Sequence, residues 1–149
     1  MVEPGGRVLA LDLGEVRIGV AVSDPDRMLS LPAGTIKASG GVEDLKAVAR
    51  MVAETGAVEV VVGHPLSLSG ERGPSAHKAE EFAEGLRLIL KVPVHLQDER
   101  LSTVQAEKGL REAGAGARER RRVVDRAAAS IILEAYLARA PSEREAPTE

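Results

Sequence analysis

The sequence predicts an α/β fold in which helices flank a five-stranded mixed β-sheet. Two observations carry this prediction. Apolar runs at 8–13 and 16–22 flank a Gly14-Glu15 turn, which is typical of an antiparallel hairpin with a two-residue loop. Further along, short β-branched runs alternate with segments of helical periodicity, which indicates strands linked by helices and therefore a mixed sheet.

The middle elements follow from local composition. Residues 29–37 predict a third strand, which Pro32 assigns to an edge of the sheet because proline cannot donate to a central ladder. Apolar residues at helical spacing predict a helix over 42–55 that ends at Gly56. The β-branched run at 57–63 is typical of a buried strand.

The second half of the chain continues the alternation. The stretch 64–74 is rich in Pro, Gly and Ser and predicts a loop before a helix over 75–90. Residues 92–97 predict the fifth strand. Two helices complete the order, over about 102–112 and about 119–138.

Composition limits the possible classes of protein. The 149 residues suit one domain, and we expect it to occupy 1–138, with 139–149 as a disordered acidic tail. The absence of cysteine excludes disulfides, thiolate metal sites and cysteine nucleophiles. No apolar stretch approaches the roughly 20 residues that span a bilayer. We therefore expect a cytoplasmic protein that does not contact membranes.

An acidic residue interrupts the first apolar run. In that strand Leu11 and Leu13 point to one face, whereas Ala10 and Asp12 point to the other. A buried carboxylate needs a cation or several hydrogen-bond donors. The alternative is an aspartate at the strand end that caps the turn at Gly14.

Two more acids, Asp98 and Glu99, directly follow the fifth predicted strand. Active sites of sheet proteins often lie where strands end. If this strand is parallel to the first, both acids lie at the same sheet edge as Asp12. The alternative is a polar loop with a local ion pair to Arg100.

The last predicted helix also carries an acid on its apolar face. Asp125 shares that face with Ala129, Ile132 and Tyr136. The alternative role is a favourable charge in the first helical turn, but the preceding arginines indicate an earlier helix start.

Three acids gathered in one pocket would repel one another unless a cation lay between them. Carboxylate oxygens without Cys or multiple His favour Mg²⁺ or Mn²⁺ over zinc. Two such ions can activate water and stabilise the leaving oxygen in phosphodiester cleavage. The acids therefore favour a metal-dependent nuclease.

Four blocks of sequence resemble, in order, the YqgF family, also called the RuvX or Holliday-junction-resolvase-like family. These blocks are LALDLGEVRIGVAVSD, VVVGHPLSLSGERG, LQDERLSTVQAE and VVDRAAASIILEAYL. The resemblance implies a ribonuclease-H-like fold with three antiparallel strands followed by two strands parallel to the first. It also implies a metal centre of Asp12, Glu99 and Asp125, with Asp98 as the alternative to Glu99.

The resemblance further implies contacts to nucleic acid. Residues expected to bind phosphates or the substrate backbone are Arg17, Arg100, Thr103, Arg121 and Arg122. Arg17 could equally be a structural ion-pair partner. The chain has His64 where family members often carry a large apolar residue. We interpret His64 as a partly exposed loop histidine, with proton transfer or phosphate binding as the alternative.

The function implied by the resemblance is processing of the 5′ end of precursor 16S ribosomal RNA. Resolution of Holliday junctions in branched DNA is the alternative within nucleases, and a resolvase would act as a homodimer. The sequence leaves monomer and homodimer open. A non-catalytic nucleic-acid-binding ribosome-assembly factor is the alternative from another class. An ATPase of the sugar-kinase type would need a second domain.

Overall fold

The computed structural model describes residues 5–67, 69–99 and 117–139, with only the backbone described over 117–127. The strands are β1 (Val8–Leu13), β2 (Arg17–Ser23), β3 (Ser30–Lys37), β4 (Glu59–His64) and β5 (Val94–Asp98). The helices are α1 (Val42–Thr55), α2 (Pro74–Ile89) and α3 (Ala117–Ala138). The predicted helix over 102–112 and most of the predicted tail lie outside the described residues.

The five strands form one mixed sheet in the order β3-β2-β1-β4-β5. β1 pairs antiparallel with β2, and β2 pairs antiparallel with β3. β4 is parallel to β1, and β5 is parallel to β4. This confirms the predicted mixed sheet, with β3 and its Pro32 at an edge. It also places the C-terminal ends of β1, β4 and β5 side by side, and we call this end of the strands the C-terminal edge of the sheet.

Helices pack on both faces of the sheet, and β1 divides its side chains between them. Leu9 and Leu11 belong to the apolar core that includes α1 and α2. Val8 and Ala10 pack on the other face with Ile132 and neighbouring residues of α3. This alternation confirms the predicted faces of β1 and leaves Asp12 on the α3 side. Among the described helices, none is long and apolar enough to cross a membrane.

The connection between β1 and β2 differs from the prediction. Three residues, Gly14 to Val16, separate the strands, where the sequence predicted two. Val16 is 68% exposed, and its backbone carbonyl accepts a hydrogen bond from Ala38 N at 2.9 Å. The amide of Gly14 donates to the Arg17 carbonyl, and a Cβ at Gly14 would lie 2.6 Å from that oxygen. A β-branched residue therefore sits in the turn, although its type suggested a strand.

Candidate active site

Asp12 lies near the C-terminal end of β1, half-buried beneath α3. It stands opposite Gly19 of β2, where a Cβ atom would approach Asp12 Cβ at 3.7 Å and Ala129 Cβ at 3.8 Å. The glycine leaves space beside the carboxylate. Burial raises the pKa of Asp12 above its usual value because the charged form loses hydration.

Glu99 follows β5 directly and lies over Gly63 of β4. A Cβ at Gly63 would come within 2.5 Å of Glu99 Oε2 and 2.7 Å of Ile132 Cδ1, so a larger residue there would require the ends of these two side chains to shift. Burial, followed by the carboxylates of Asp12 and Asp98, raises the pKa of Glu99 to about 7. Asp12 and Glu99 are therefore close enough to interact electrostatically.

The parallel strands explain why these acids meet. Asp98 is the last residue of β5 and lies opposite His64 of β4 in the register. The adjacent Gly63 belongs to β4, which lies between β1 and β5. The glycine therefore leaves an open position between β1 and β5. A carboxylate from β1 and one from the end of β5 can then face each other across it.

The third predicted acid is described only by its backbone. Asp125 lies within α3, one helical turn before Ala129, which packs over Gly19. Among the side chains that the structure describes, no group of three or more His, Cys, Asp or Glu residues could hold a metal ion. The complete metal centre of Asp12, Glu99 and Asp125 therefore stays a prediction.

The predicted nucleic-acid contacts fall partly within the described residues. Arg17 is the first residue of β2, and its side chain is exposed. Arg121 and Arg122 lie on α3, where only the backbone is described. Arg100 and Thr103 lie outside the described residues. These roles stay predictions.

The interpretation of His64 as a loop residue was wrong. His64 is the last residue of β4, and its side chain is only 16% exposed. Its Nε2 lies 2.7 Å from Glu80 Oε2 on α2, while Arg72 Nη2 donates to Glu80 Oε1 at 2.6 Å. The Arg72 guanidinium, followed by His64, lowers the pKa of Glu80 to about 2. The ring thus anchors the strand to α2, a pairing that no sequence spacing indicated.

A second polar cluster holds the C-terminal part of α3 on the sheet. The buried Tyr136 hydroxyl donates to Glu59 at the start of β4. Arg27 Nη2 lies 3.1 Å from Glu59 Oε1, and His95 Nε2 lies 3.3 Å from Glu59 Oε2. His95 shows no spacing with other candidate ligands in the sequence that would indicate this contact. The only signal was a tyrosine on an apolar helix face, which implies a buried hydroxyl in need of a partner.

A family model described as "RuvX: Holliday junction resolvase" matches residues 6–139. The chain belongs to this family. The assignment confirms the resemblance that the four sequence blocks indicated.

Two mycobacterial relatives are similar to this chain over most of their length. A protein of Mycolicibacterium paratuberculosis named "Putative pre-16S rRNA nuclease" is 49% identical over 137 residues, or 91% of this chain and 82% of the relative. A protein of the same name from Mycobacterium ulcerans is 48% identical over 139 residues, with 91% and 82% covered.

Solved structures support the fold. Thermus thermophilus RuvC in complex with a Holliday junction substrate is 16% identical, with a TM-score of 0.51 over 89% of this chain and 96% of that chain. A second T. thermophilus RuvC structure, also 16% identical, has a TM-score of 0.53 over 85% of this chain and 90% of that chain. This likeness confirms the predicted ribonuclease-H-like fold of a RuvX family member.

Proposed function

We propose that this RuvX family member is a nuclease that requires Mg²⁺ or Mn²⁺ to hydrolyse phosphodiester bonds of nucleic acid. The observation that carries the proposal is the pair of half-buried carboxylates, Asp12 and Glu99, at the C-terminal edge of the sheet. Their interaction contributes to a Glu99 pKa of about 7. Two acids so placed are unfavourable when ionised and become favourable beside a cation.

The donor set fits a hard divalent ion. Asp12 and Glu99 present oxygen atoms from two strand ends, and Asp125 on α3 is the third ligand that we propose. Asp98 is the alternative to Glu99, but Glu99 has the side chain placed over Gly63. A bound divalent cation would supply stabilisation of the charge that develops on the phosphodiester and a lowered pKa for the attacking water.

The remaining residues position the substrate in this proposal. Arg17 stands at the exposed start of β2, two residues from Gly19, on the same face as Asp12. A guanidinium there can bind a phosphate next to the one that is cut. We propose the same kind of contact for Arg100, Arg121 and Arg122, and a hydroxyl contact for Thr103.

The substrate that we favour is precursor 16S ribosomal RNA, cut near its 5′ end in the cytoplasm. The name of the mycobacterial relatives supports this choice. A four-way DNA junction is the second candidate, because the family description names Holliday junction resolvases. Junction cleavage would require a homodimer that presents two centres to paired strands. We place the catalytic unit within residues 1–138.

The decisive experiment incubates the purified chain with Mg²⁺ or Mn²⁺ and a 16S fragment that carries its 5′ precursor extension. A four-way DNA junction runs in parallel, and EDTA reactions control for metal. Asp12→Asn and Asp125→Asn remove proposed ligands. Asp26→Asn is the matched control. Asp26 is an exposed aspartate in the connection between β2 and β3, at the end of the sheet where β1 begins.

We expect 5′ trimming by wild type and Asp26→Asn, and a loss of about 10³-fold or more in the two ligand variants. Symmetric junction nicking without RNA trimming would favour the resolvase. If the wild-type protein cut neither substrate, and folded Asp12→Asn and Asp125→Asn left the cellular phenotype unchanged, a non-catalytic assembly factor would replace the nuclease.

A further inference from the structure

A groove of about 840 Å³ extends from Asp12 across the α3 side of β2 and β3. Small residues leave the space open, and they come from both the sheet and the helix: Gly19, Gly34, Ala128 and Ala129. The volume falls within the range of about 300–1,000 Å³ that ligand clefts occupy. Because Asp12 lines one end, a polymer held at the candidate centre can continue into this groove.

Two rows of directly opposite residues cross the strands beside the groove: the first contains the Thr35 hydroxyl, and the second contains the cations Arg17 and Lys37. Thr35 lies opposite Gly19, which in turn lies opposite Asp12, so these residues form one row across three strands. Arg17 lines the groove, and Lys37 lies directly opposite Arg17 on β3. Residues directly opposite in an antiparallel pair share a face. The second row therefore places two positive charges beside the groove.

The two cations do not stabilise this strand pair by themselves. Like charges directly opposite each other destabilise an antiparallel pair. Arg17 and Lys37 are exposed, and the ion pairs found among the described side chains include neither of them. A ligand with closely spaced negative charges would relieve the repulsion.

We propose that this groove binds the sugar–phosphate backbone of the strand being cut, with Arg17 and Lys37 at neighbouring phosphates and Thr35 bonded to a backbone oxygen. The inference rests on the proposed nuclease function and adds Lys37 and Thr35 to the substrate site. The acids Asp12, Glu15 and Glu99 repel phosphates, so nearby cations are needed to hold a strand beside them. Phosphate contacts of this kind fix the position of a strand without reading its sequence.

The test measures binding of a short, fluorescently labelled single-stranded RNA over a series of salt concentrations. All proteins carry Asp12→Asn, which prevents cleavage during the measurement. Arg17→Ala and Lys37→Ala each remove one proposed phosphate contact. Lys91→Ala is the matched control. Lys91 is an exposed lysine just before β5, which is the outermost strand on the side of the sheet away from β2 and β3.

We expect Arg17→Ala and Lys37→Ala each to reduce the slope of log Kd against log salt by about 0.7, and to weaken binding about three- to fivefold near physiological salt. Thr35→Val should weaken binding less and leave the slope unchanged, since no charge is removed. Lys91→Ala should match its parent protein in both affinity and slope.

Two further measurements separate binding from structure. Lys37→Ala should keep or raise the melting temperature, because it removes the repulsion with Arg17, whereas a structural lysine would lower it. Gly19→Ala adds a methyl group at ordinary contact distances of 3.7 Å and 3.8 Å, so the fold should tolerate it. The methyl group narrows the groove beside Asp12 and should weaken RNA binding.

Equal salt slopes for Lys37→Ala, Arg17→Ala and Lys91→Ala would overturn the proposed groove, as would a complete lack of RNA binding. The catalytic proposal is read separately, from cleavage by the protein with Asp12 intact. Altered slopes without any metal-dependent cleavage would support the groove and contradict the nuclease. Cleavage with unaltered slopes would support the nuclease and contradict the groove.

Discussion

Replacing Glu99 by Gln should stabilise the metal-free protein at alkaline pH while removing its nuclease activity. The substitution keeps the size of a half-buried side chain and removes only its charge. In the folded protein, burial, Asp12 and Asp98 raise the pKa of Glu99 to about 7 from an ordinary value of 4.5. The ionised form is therefore unfavourable in the folded state relative to the unfolded state.

The sign of the pH dependence follows from proton binding. Between pH 4.5 and about 7 the folded protein holds a proton on Glu99 that the unfolded chain has released. The free energy of unfolding therefore falls as pH rises through this window and stays lower above it. The full difference corresponds to about 3 kcal/mol, and solvent at the exposed part of the side chain reduces it to about 1–2 kcal/mol.

The assay is thermal or urea unfolding in EDTA at two pH values. One is about pH 5, near the lower end of this window, and the other is about pH 8, above it. Glu99→Gln should gain about 1–2 kcal/mol over wild type at the higher pH, or about 3–6 °C in melting temperature. At the lower pH the two proteins should differ little. Glu81→Gln, an exposed substitution on α2, controls for loss of a surface glutamate.

Added Mg²⁺ should reverse the order. Wild type gains stability from binding the ion in the folded state, whereas Glu99→Gln lacks one proposed ligand and gains less. If the stability of Glu99→Gln relative to wild type were the same at both pH values, Glu99 would not be destabilised by its surroundings. This result would refute an unfavourable interaction between Glu99 and Asp12.

Three other substitutions test the packing around the site. Gly63→Ala makes the end of the Glu99 side chain shift, because the new Cβ would lie 2.5 Å from Glu99 Oε2. The displaced carboxylate should lower kcat on the order of 100-fold with Mg²⁺ saturating; unchanged kcat would show that Gly63 does not set the position of this carboxylate. Tyr136→Phe removes the hydrogen bond to Glu59 and should lower the free energy of unfolding by about 1–2 kcal/mol in urea titrations; no loss would show that the anchor of α3 is dispensable. Asp44 accepts hydrogen bonds from Ser39 N, Ser39 Oγ and Gly40 N at 2.9, 2.7 and 2.9 Å, which hold its pKa below the usual value, the Ser39 amide most strongly. Asp44→Asn should therefore cost about 1–2 kcal/mol at neutral pH, and the difference from wild type should shrink below about pH 4, where the wild-type carboxylate is protonated; a constant difference would assign the effect to shape instead of charge.

Much of the fold was predictable because it depends on local patterns. The period of two in β1 assigned Leu11 and Asp12 to opposite faces, and the structure confirms this for the core residues around them. Helix α1 begins and ends where its apolar spacing and Gly56 indicated. Val16 shows the limit of such patterns, because a β-branched residue can occupy a turn when its carbonyl bonds elsewhere.

The site was predictable only in part. Each acid was visible in the sequence, and the resemblance to the RuvX family grouped them, but local patterns contain no distances between distant segments. The pairing of His64 with Glu80 had no sequence signal, since it depends on how α2 packs against the end of β4. The same holds for Glu59, which accepts from a tyrosine far along the chain.

The amino-acid sequence by itself determines most of the described strands and helices, the two faces of β1 and the family. Only the tertiary structure decides that Asp12 and Glu99 interact. β1 and β5 do not pair with each other, and their C-terminal ends lie close together because each pairs in parallel with β4. It also decides that Gly63 leaves the space between them. Periodicity follows from the geometry of one segment, whereas a shared pocket follows from the register between segments.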